Sequence, residues 1–121
     1  MLKFDHLTLP VADWKRSRDW YVQRLGMKLE FEVPDHQTLA VKDDHEFTIF
    51  FQQTSREPLN PGIALYFQVE NVKASYASLS AAGVSFTHPP QPTFWGYGAE
   101  ASDPDGYAIR LWDERTMKER A

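Results

Sequence analysis

Apolar side chains occupy alternate positions in four segments of the chain, a spacing typical of β-strands that bury one face. In each segment the apolar residues fall at odd-numbered positions. The four sets are Leu7/Leu9/Val11, Phe47/Ile49/Phe51, Ile63/Leu65/Phe67/Val69 and Tyr107/Ile109/Leu111. We expect these faces to pack beneath helices.

Two helices are predicted, each with a capping side chain before it and a glycine after it. Asp13 and Gly26 enclose residues 14–25, and Asn71 and Gly83 enclose residues 72–82. The remaining predicted strands cover residues 27–33, 37–42, 84–87 and 97–102. The proline-rich segment 88–92 predicts an exposed loop, because proline cannot pair within a central strand.

The same order of elements occurs twice along the chain. Residues 6–13 match residues 64–71 position by position, and the strand at 47–51 matches the strand at 107–111. This repeat predicts an α+β fold with two tandem βαβββ modules. We expect one domain over residues 1–121, with module one at about 1–53, a linker at about 54–61 and module two at about 62–115. The charged tail 114–121 predicts a frayed end or a short helix.

The even-numbered positions of the same four strands form a second surface, which we call the even face. It combines aromatic side chains with a few polar ones, a mixture that suits a small-molecule cavity better than a solvated surface. Its members are His6, Thr8, Thr48, Phe50, Gln52, Ala64, Tyr66, Gln68, Ala108, Arg110 and Trp112.

Composition narrows the classes of function. The chain of 121 residues contains no cysteine, which excludes disulfides and thiolate metal ligands. Its net charge is −4 and its basic residues are dispersed, which argues against a nucleic-acid partner. Neither a membrane-spanning run nor a signal peptide is recognised, so we expect a cytoplasmic protein without a membrane partner.

The segment Asp103-Pro104-Asp105-Gly106 predicts a tight turn between the last two strands. A type I turn with Gly106 as a bulge residue would place Glu100 opposite Arg110 on the even face. Two interpretations of Arg110 follow. It anchors an anionic or carbonyl group of a ligand, or it forms an internal ion pair with Glu100, and the two do not exclude each other.

Other candidates also have two interpretations. His6 could act as a general acid/base or be a relic of the fold's ancestry. The aromatic side chains could stack on a planar ligand or fill space, and Trp95 with Phe94 could form a lid or an anchored loop. The candidate catalytic residues are His6, Glu100 and Arg110. The candidate ligand-binding residues are Thr8, Phe50, Gln52, Tyr66, Gln68, Trp95, Arg110 and Trp112.

The chain resembles the vicinal oxygen chelate superfamily, also called the glyoxalase/bleomycin-resistance/extradiol-dioxygenase superfamily. The segments that carry the resemblance are His6 to Asp13, Ser17 to Tyr21 with Leu25-Gly26-Met27, Phe67 to Val72, Leu79 to Gly83, and Asp103 to Tyr107. The resemblance implies the paired βαβββ fold, with the two modules forming a curved mixed sheet around a cavity. It does not imply one activity, because the superfamily includes isomerases, lyases, dioxygenases, thiol transferases and metal-free drug-binding proteins.

The resemblance also implies where a metal would bind. Metal-using members take ligands from four positions, which align with His6, Phe50, Ala64 and Arg110. Phenylalanine and alanine cannot bind a metal, and arginine brings a positive charge. We therefore expect no metal site and no cofactor.

The predicted function is metal-independent binding of an aromatic or amphipathic small molecule in the sheet cavity. The alternative is a superfamily enzyme, of lyase, isomerase or dioxygenase type, that acts on a small carbonyl or aromatic compound with or without a divalent metal. Whether the protein turns over a substrate stays open. The resemblance further implies a homodimer.

Overall fold

Alternating strands and capped helices recur in both halves of the computed structural model, which describes residues 2–55 and 62–119. The chain divides into two compact units, Met1–Leu59 and Asn60–Ala121. Most of the predicted linker, residues 56–61, lies outside the described residues, as do residues 120–121 of the predicted tail. No helix in the described ranges is long and apolar enough to cross a membrane.

Unit one contains a four-stranded mixed sheet in the order β1-β4-β3-β2. Strand β1 runs parallel to β4, and the other neighbours are antiparallel. Its elements are β1 (His6–Val11), helix α1 (Trp14–Asp19) with a wider turn at Trp20–Arg24, β2 (Lys28–Val33), a short 3-10 turn (Pro34–His36), β3 (Thr38–Lys42) and β4 (Thr48–Gln53).

Unit two repeats this arrangement, with strand order β5-β8-β7-β6 and a parallel pair β5/β8. Its elements are β5 (Ala64–Gln68), α2 (Val72–Ala81), β6 (Phe86–Thr93), β7 (Gly96–Ser102), β8 (Ala108–Trp112) and α3 (Glu114–Glu119). The matching orders of the two sheets confirm the duplicated βαβββ unit predicted from the sequence.

Helix α1 begins at the predicted cap. The Asp13 carboxylate accepts hydrogen bonds from the backbone N–H groups of Lys15 and Arg16, at 3.1 and 3.2 Å. Its continuation is wider than an α-helix, because the Leu25 N–H bonds the carbonyl of Trp20, five residues earlier. The predicted helix over 14–25 therefore has the right extent, with a π-helical second half.

The odd-numbered face of each sheet forms most of the core. In unit one the Tyr21 ring packs against Phe51 with centroids 4.4 Å apart, and both side chains are fully buried. In unit two, Tyr107, Ile109 and Leu111 are buried. The prediction is wrong for Leu7 and Phe47, which are 40% and 42% exposed.

The proline-rich segment differs from its prediction. Residues 88–92 were expected to form a loop, but they lie within β6, the edge strand of its sheet. The pairing of β6 with β7 shifts register between Phe86 and His88 and again between His88 and Gln91. Proline is tolerated at an edge and in such irregularities, because no backbone N–H is required there.

One side chain in each unit joins the end of the last strand to the start of the helix. In unit one, the Gln53 side-chain oxygen accepts a hydrogen bond from the Trp14 N–H at 3.1 Å. In unit two, the Asp113 carboxylate accepts one from the Val72 N–H at 2.7 Å. Gln53 and Asp113 occupy equivalent positions in the repeat, so the duplication extends to this contact.

Asp113 has a second role, because it also accepts hydrogen bonds from the N–H and hydroxyl of Thr116 in α3. The side chain is only 1% exposed. Burial acts to raise the pKa of the Asp113 carboxyl, but the hydrogen bonds from Thr116 and Val72 outweigh it and hold the pKa below the ordinary 3.8.

Replacing Asp113 with alanine leaves the N–H groups of Val72 and Thr116 without their acceptor. We expect Asp113→Ala to lower the free energy of unfolding by about 2–4 kcal/mol, and the control Gln53→Ala, which loses one such bond, by about 1 kcal/mol. Urea denaturation measures both. Equal losses in the two variants would contradict the larger role given to Asp113.

The pH dependence of stability provides a second readout of the same side chain. Because the pKa of Asp113 is lower in the folded than in the unfolded protein, its carboxylate stabilises the fold above the ordinary carboxyl pKa, and this stabilisation is lost as pH falls through the folded value. The difference in stability between wild type and Asp113→Asn should therefore shrink below about pH 4.

Candidate functional site

Three side chains form a row across the sheet of unit two. Arg110 in β8 pairs with Tyr66 of β5 on one side and with Glu100 of β7 on the other. Because directly paired residues point to the same face of a sheet, all three side chains lie on the even face. Strand register alone thus brings a cation, a carboxylate and a phenol together.

The predicted turn sets this register. The Gly106 N–H bonds the Asp103 carbonyl at 3.0 Å, and Gly106 has a φ of 88°, which a residue with a side chain rarely adopts. Glu100 consequently faces Arg110, and its carboxylate oxygen accepts a hydrogen bond from Arg110 Nε at 2.7 Å. The ion pair expected from the sequence is confirmed.

Aromatic rings surround the rest of the guanidinium. Arg110 Nη1 donates a hydrogen bond to the Tyr66 hydroxyl at 2.6 Å. The guanidinium carbon lies 5.3 Å from the ring centre of Tyr66, 5.1 Å from that of Phe94 and 5.7 Å from that of Trp95. Together, Tyr66, Phe94, Trp95, Glu100 and Arg110 form what we call the Arg110 cluster.

In the Arg110 cluster the two charged side chains are largely buried, whereas the rings of Tyr66 and Phe94 are exposed. The side chains of Arg110 and Glu100 are 15% and 23% exposed, whereas Tyr66 is 50% and Phe94 is 89% exposed. Burial acts to lower the pKa of Arg110, but its hydrogen bonds to Glu100 and Tyr66 outweigh that effect and raise the pKa above its usual value. The guanidinium is therefore charged and compensated by Glu100.

Trp95 and Phe94 form the two-residue connection between β6 and β7, since Thr93 pairs with Gly96. The Trp95 ring meets the Tyr66 ring edge-on, with centroids 5.5 Å apart. It lies over Gly98, where an added Cβ would be 2.5 Å from the ring and would collide with the Leu111 carbonyl of β8. Glycine at position 98 therefore makes room for the indole.

The even face of unit one carries a different group of rings. His6 stacks on Phe50 with centroids 3.7 Å apart, and Phe50 meets Phe31 edge-on at 5.3 Å. The His6 Nδ1 lies 2.7 Å from the Asp5 carboxylate, a contact that favours the tautomer with its proton on Nδ1. The sequence did not predict Phe31 as a site residue, because a register shift between Leu29 and Phe31 changes the face to which it points.

The remaining predicted residues also lie on even faces. In unit one, Thr8 of β1 pairs with Phe50 of β4, and Gln52 lies two residues after Phe50 on β4. The side chains of Thr8 and Gln52 are exposed. In unit two, Gln68 pairs with Trp112 and donates a hydrogen bond to Glu114 at 3.1 Å. Of the three candidate catalytic residues, Glu100 and Arg110 are in direct contact, and His6 belongs to the other unit.

A polar pocket of about 590 Å³ lies elsewhere in unit one, at the ends of β1 and β4. It contains none of the predicted ligand-binding residues. Its lining residues are Ala12, Gln37, Gln53, Thr54 and Ser55.

The four positions expected to carry metal ligands do not suit a divalent cation. Phe50 stacks on His6, Ala64 has no donor atom, and Arg110 is a cation paired with Glu100. Within residues 2–55 and 62–119, no group of three or more His, Asp or Glu side chains is arranged to hold a metal ion. The residues present therefore do not fit the family's metal site.

Comparison with known proteins agrees with this fold. Residues 3–111 match the profile of the Glyoxalase/Bleomycin resistance protein/Dioxygenase superfamily, so the chain belongs to that superfamily. This confirms the family predicted from the sequence motifs. No curated protein sequence matches the chain.

Several solved structures are similar over nearly the whole chain. TnmS3, an antibiotic binding protein from Streptomyces sp. CB03234, is 29% identical, with a TM-score of 0.75 over 93% of this chain and 96% of that chain. A glyoxalase/bleomycin resistance protein from the same strain is 28% identical, with a TM-score of 0.65 over 87% and 95%. A superfamily protein from Nocardioides, 15% identical with a TM-score of 0.76 over 93% and 84%, shares the fold alone.

Replacing Gly98 tests whether the position of the Trp95 indole depends on the absence of a side chain at residue 98. We expect Gly98→Ala to lower the free energy of unfolding by about 1–3 kcal/mol, because the new methyl group collides with the Leu111 carbonyl of β8 and with the Trp95 ring. Displacement of that ring should also alter the near-ultraviolet circular dichroism of tryptophan. The control is Gly26→Ala, at a position where a Cβ meets nothing within 4 Å. It should be destabilised through its positive φ alone, by about 1 kcal/mol, with an unchanged tryptophan signal. An unchanged tryptophan circular dichroism signal in Gly98→Ala would contradict the contact between Gly98 and the Trp95 ring.

Proposed function

We propose that this protein binds an aromatic or amphipathic small molecule on the even face of unit two, without a metal ion. The observation that carries the proposal is the Arg110 cluster, in which exposed rings surround a shielded ion pair. Ring faces beside a few oriented polar groups are typical of small-molecule sites, because the rings supply contact area and the polar groups supply orientation.

The ion pair favours binding over proton transfer. A general base must have its oxygen or nitrogen available to the substrate. One Glu100 oxygen accepts the hydrogen bond from Arg110 Nε at 2.7 Å, so this oxygen is already engaged and is not available to a substrate proton. Arg110 is likewise held by Glu100 and Tyr66. The two groups therefore orient each other and the surrounding rings.

The similar structures support the same class of function. TnmS3 is an antibiotic binding protein, and it is 29% identical to this chain over nearly the full length of both. A sequestering role for the present protein is consistent with that similarity. It also agrees with the three positions, Phe50, Ala64 and Arg110, that cannot supply metal ligands.

Binding can be tested with 2-naphthol, a planar probe that is neutral at pH 7. We expect a measurable affinity by isothermal titration calorimetry and a loss of about tenfold in Tyr66→Leu, because the variant removes an exposed ring face from the cluster. The matched control is Tyr76→Leu on α2, where the ring packs against Phe86 at 4.7 Å, outside the cluster. Equal affinities of wild type and Tyr66→Leu would contradict the assigned site.

A separate experiment tests whether the protein contains or needs a divalent metal ion. Protein purified without chelator should contain far less than one equivalent of any divalent metal by mass spectrometry. Addition of Zn²⁺ or Mn²⁺, or of chelator, should leave both the melting temperature and the affinity for 2-naphthol unchanged, because three of the four ligand positions have no suitable donor. Stoichiometric bound metal would overturn this part of the proposal.

A further inference from the structure

The Arg110 cluster already neutralises its own charge, and this balance limits the ligands that it can accept. We propose that the cluster selects uncharged ligands: a planar aromatic ring with a hydrogen-bond acceptor, which lies against the exposed rings of Tyr66 and Phe94 and accepts a hydrogen bond from Arg110. This inference rests on the proposed binding function and adds the charge and chemistry of the ligand.

Some N–H donors of the Arg110 guanidinium remain available to a ligand. Arg110 Nε is used by Glu100, and one Nη1 hydrogen by the Tyr66 hydroxyl. Arginine has five N–H donors in a fixed plane, and Nη2 donates to no group within the described parts of the chain. A ligand carbonyl or hydroxyl oxygen can therefore accept a directional hydrogen bond without displacing either partner.

An anionic ligand is disfavoured by Glu100. A carboxylate that approaches Arg110 also approaches the Glu100 carboxylate, whose oxygen lies 2.7 Å from Arg110 Nε. The two negative charges repel in a partly desolvated site, where water screens them less than at an open surface. An anion would bind well only if Glu100 were absent or neutral.

A cationic ligand is disfavoured by Arg110. Aromatic rings attract cations to their faces, but the guanidinium already lies within 5.7 Å of the ring centres of Tyr66, Phe94 and Trp95. A second positive charge there would be repelled by the first. The exposed ring area that remains, on Tyr66 and Phe94, suits an uncharged ring that gains from stacking and burial.

A series of naphthalenes that differ in charge tests this selectivity. At pH 7, 2-naphthol is neutral, 2-naphthoate is an anion and 2-naphthylmethylammonium is a cation, all on the same ring. By calorimetry with wild-type protein, we expect 2-naphthol to bind at least about tenfold more tightly than either ion, since a tenfold ratio corresponds to one modest unfavourable charge contact.

Substitution of Glu100 should reverse the preference between neutral and anionic ligands. In Glu100→Gln the Arg110 charge is uncompensated, so 2-naphthoate should gain more than the wild-type ratio of at least about tenfold that separates it from 2-naphthol, and should become the tighter ligand of the two. The matched control is Glu32→Gln in unit one. Glu32 pairs with Arg18 at 2.9 Å, so this variant removes the same charge from the same type of ion pair. It should leave the order of affinities unchanged.

The possible outcomes distinguish a failure of the proposed binding function from a failure of the proposed charge selectivity. If wild-type protein binds none of the three compounds, the proposed binding function is overturned, and the selectivity with it. If 2-naphthoate or the ammonium compound binds wild type as tightly as 2-naphthol, the charge selectivity is overturned and the binding function stands. If Glu32→Gln changes the affinity for 2-naphthoate as much as Glu100→Gln does, the effect comes from the net charge of the protein, and the role given to the cluster is overturned. The wild-type series decides even if Glu100→Gln does not fold.

Discussion

A hydrogen bond from the end of the last strand to the start of the helix closes each βαβββ unit. Gln53 makes it in unit one and Asp113 in unit two. A helix leaves its first N–H groups without partners inside the helix, so an acceptor from the sheet fixes where the helix begins. In unit two the same carboxylate also caps α3, so β8 is held between two helices at its end. Arg110 lies on β8, three residues before Asp113.

The Arg110 cluster shows that the even face of a sheet can carry its own chemistry while the odd-numbered face forms the core. The core of each sheet uses odd-numbered positions, so even-numbered residues can change without loss of the main apolar contacts. Arginine at position 110 requires a partner when it is partly buried, and Glu100 provides one through strand pairing. Gly98 makes room for the Trp95 ring that completes the cluster. The face therefore combines a shielded charge pair with accessible rings.

Much of this arrangement could be predicted from local patterns. The caps at Asp13 and Asn71, the duplicated order of elements and the Glu100–Arg110 pair follow from residue types and from turn chemistry within a few residues. The family also followed from motifs, and the match over residues 3–111 confirms it. Other features were wrong or missed. Proline at positions 89 and 90 suggested a loop but lies in an edge strand, and Phe31 changes face at a register shift.

The sequence by itself determined the two modules, the faces of the strands and the residue opposite Arg110. These depend on period, caps and turn geometry, which act over short distances along the chain. Only the tertiary structure decided that β6 lies at an edge, that Phe31 meets Phe50 edge-on, and that the rings of Tyr66, Phe94 and Trp95 lie around one guanidinium. Those outcomes depend on strand order and on contacts between residues far apart in sequence. A pattern along one strand does not specify which strand will be its neighbour.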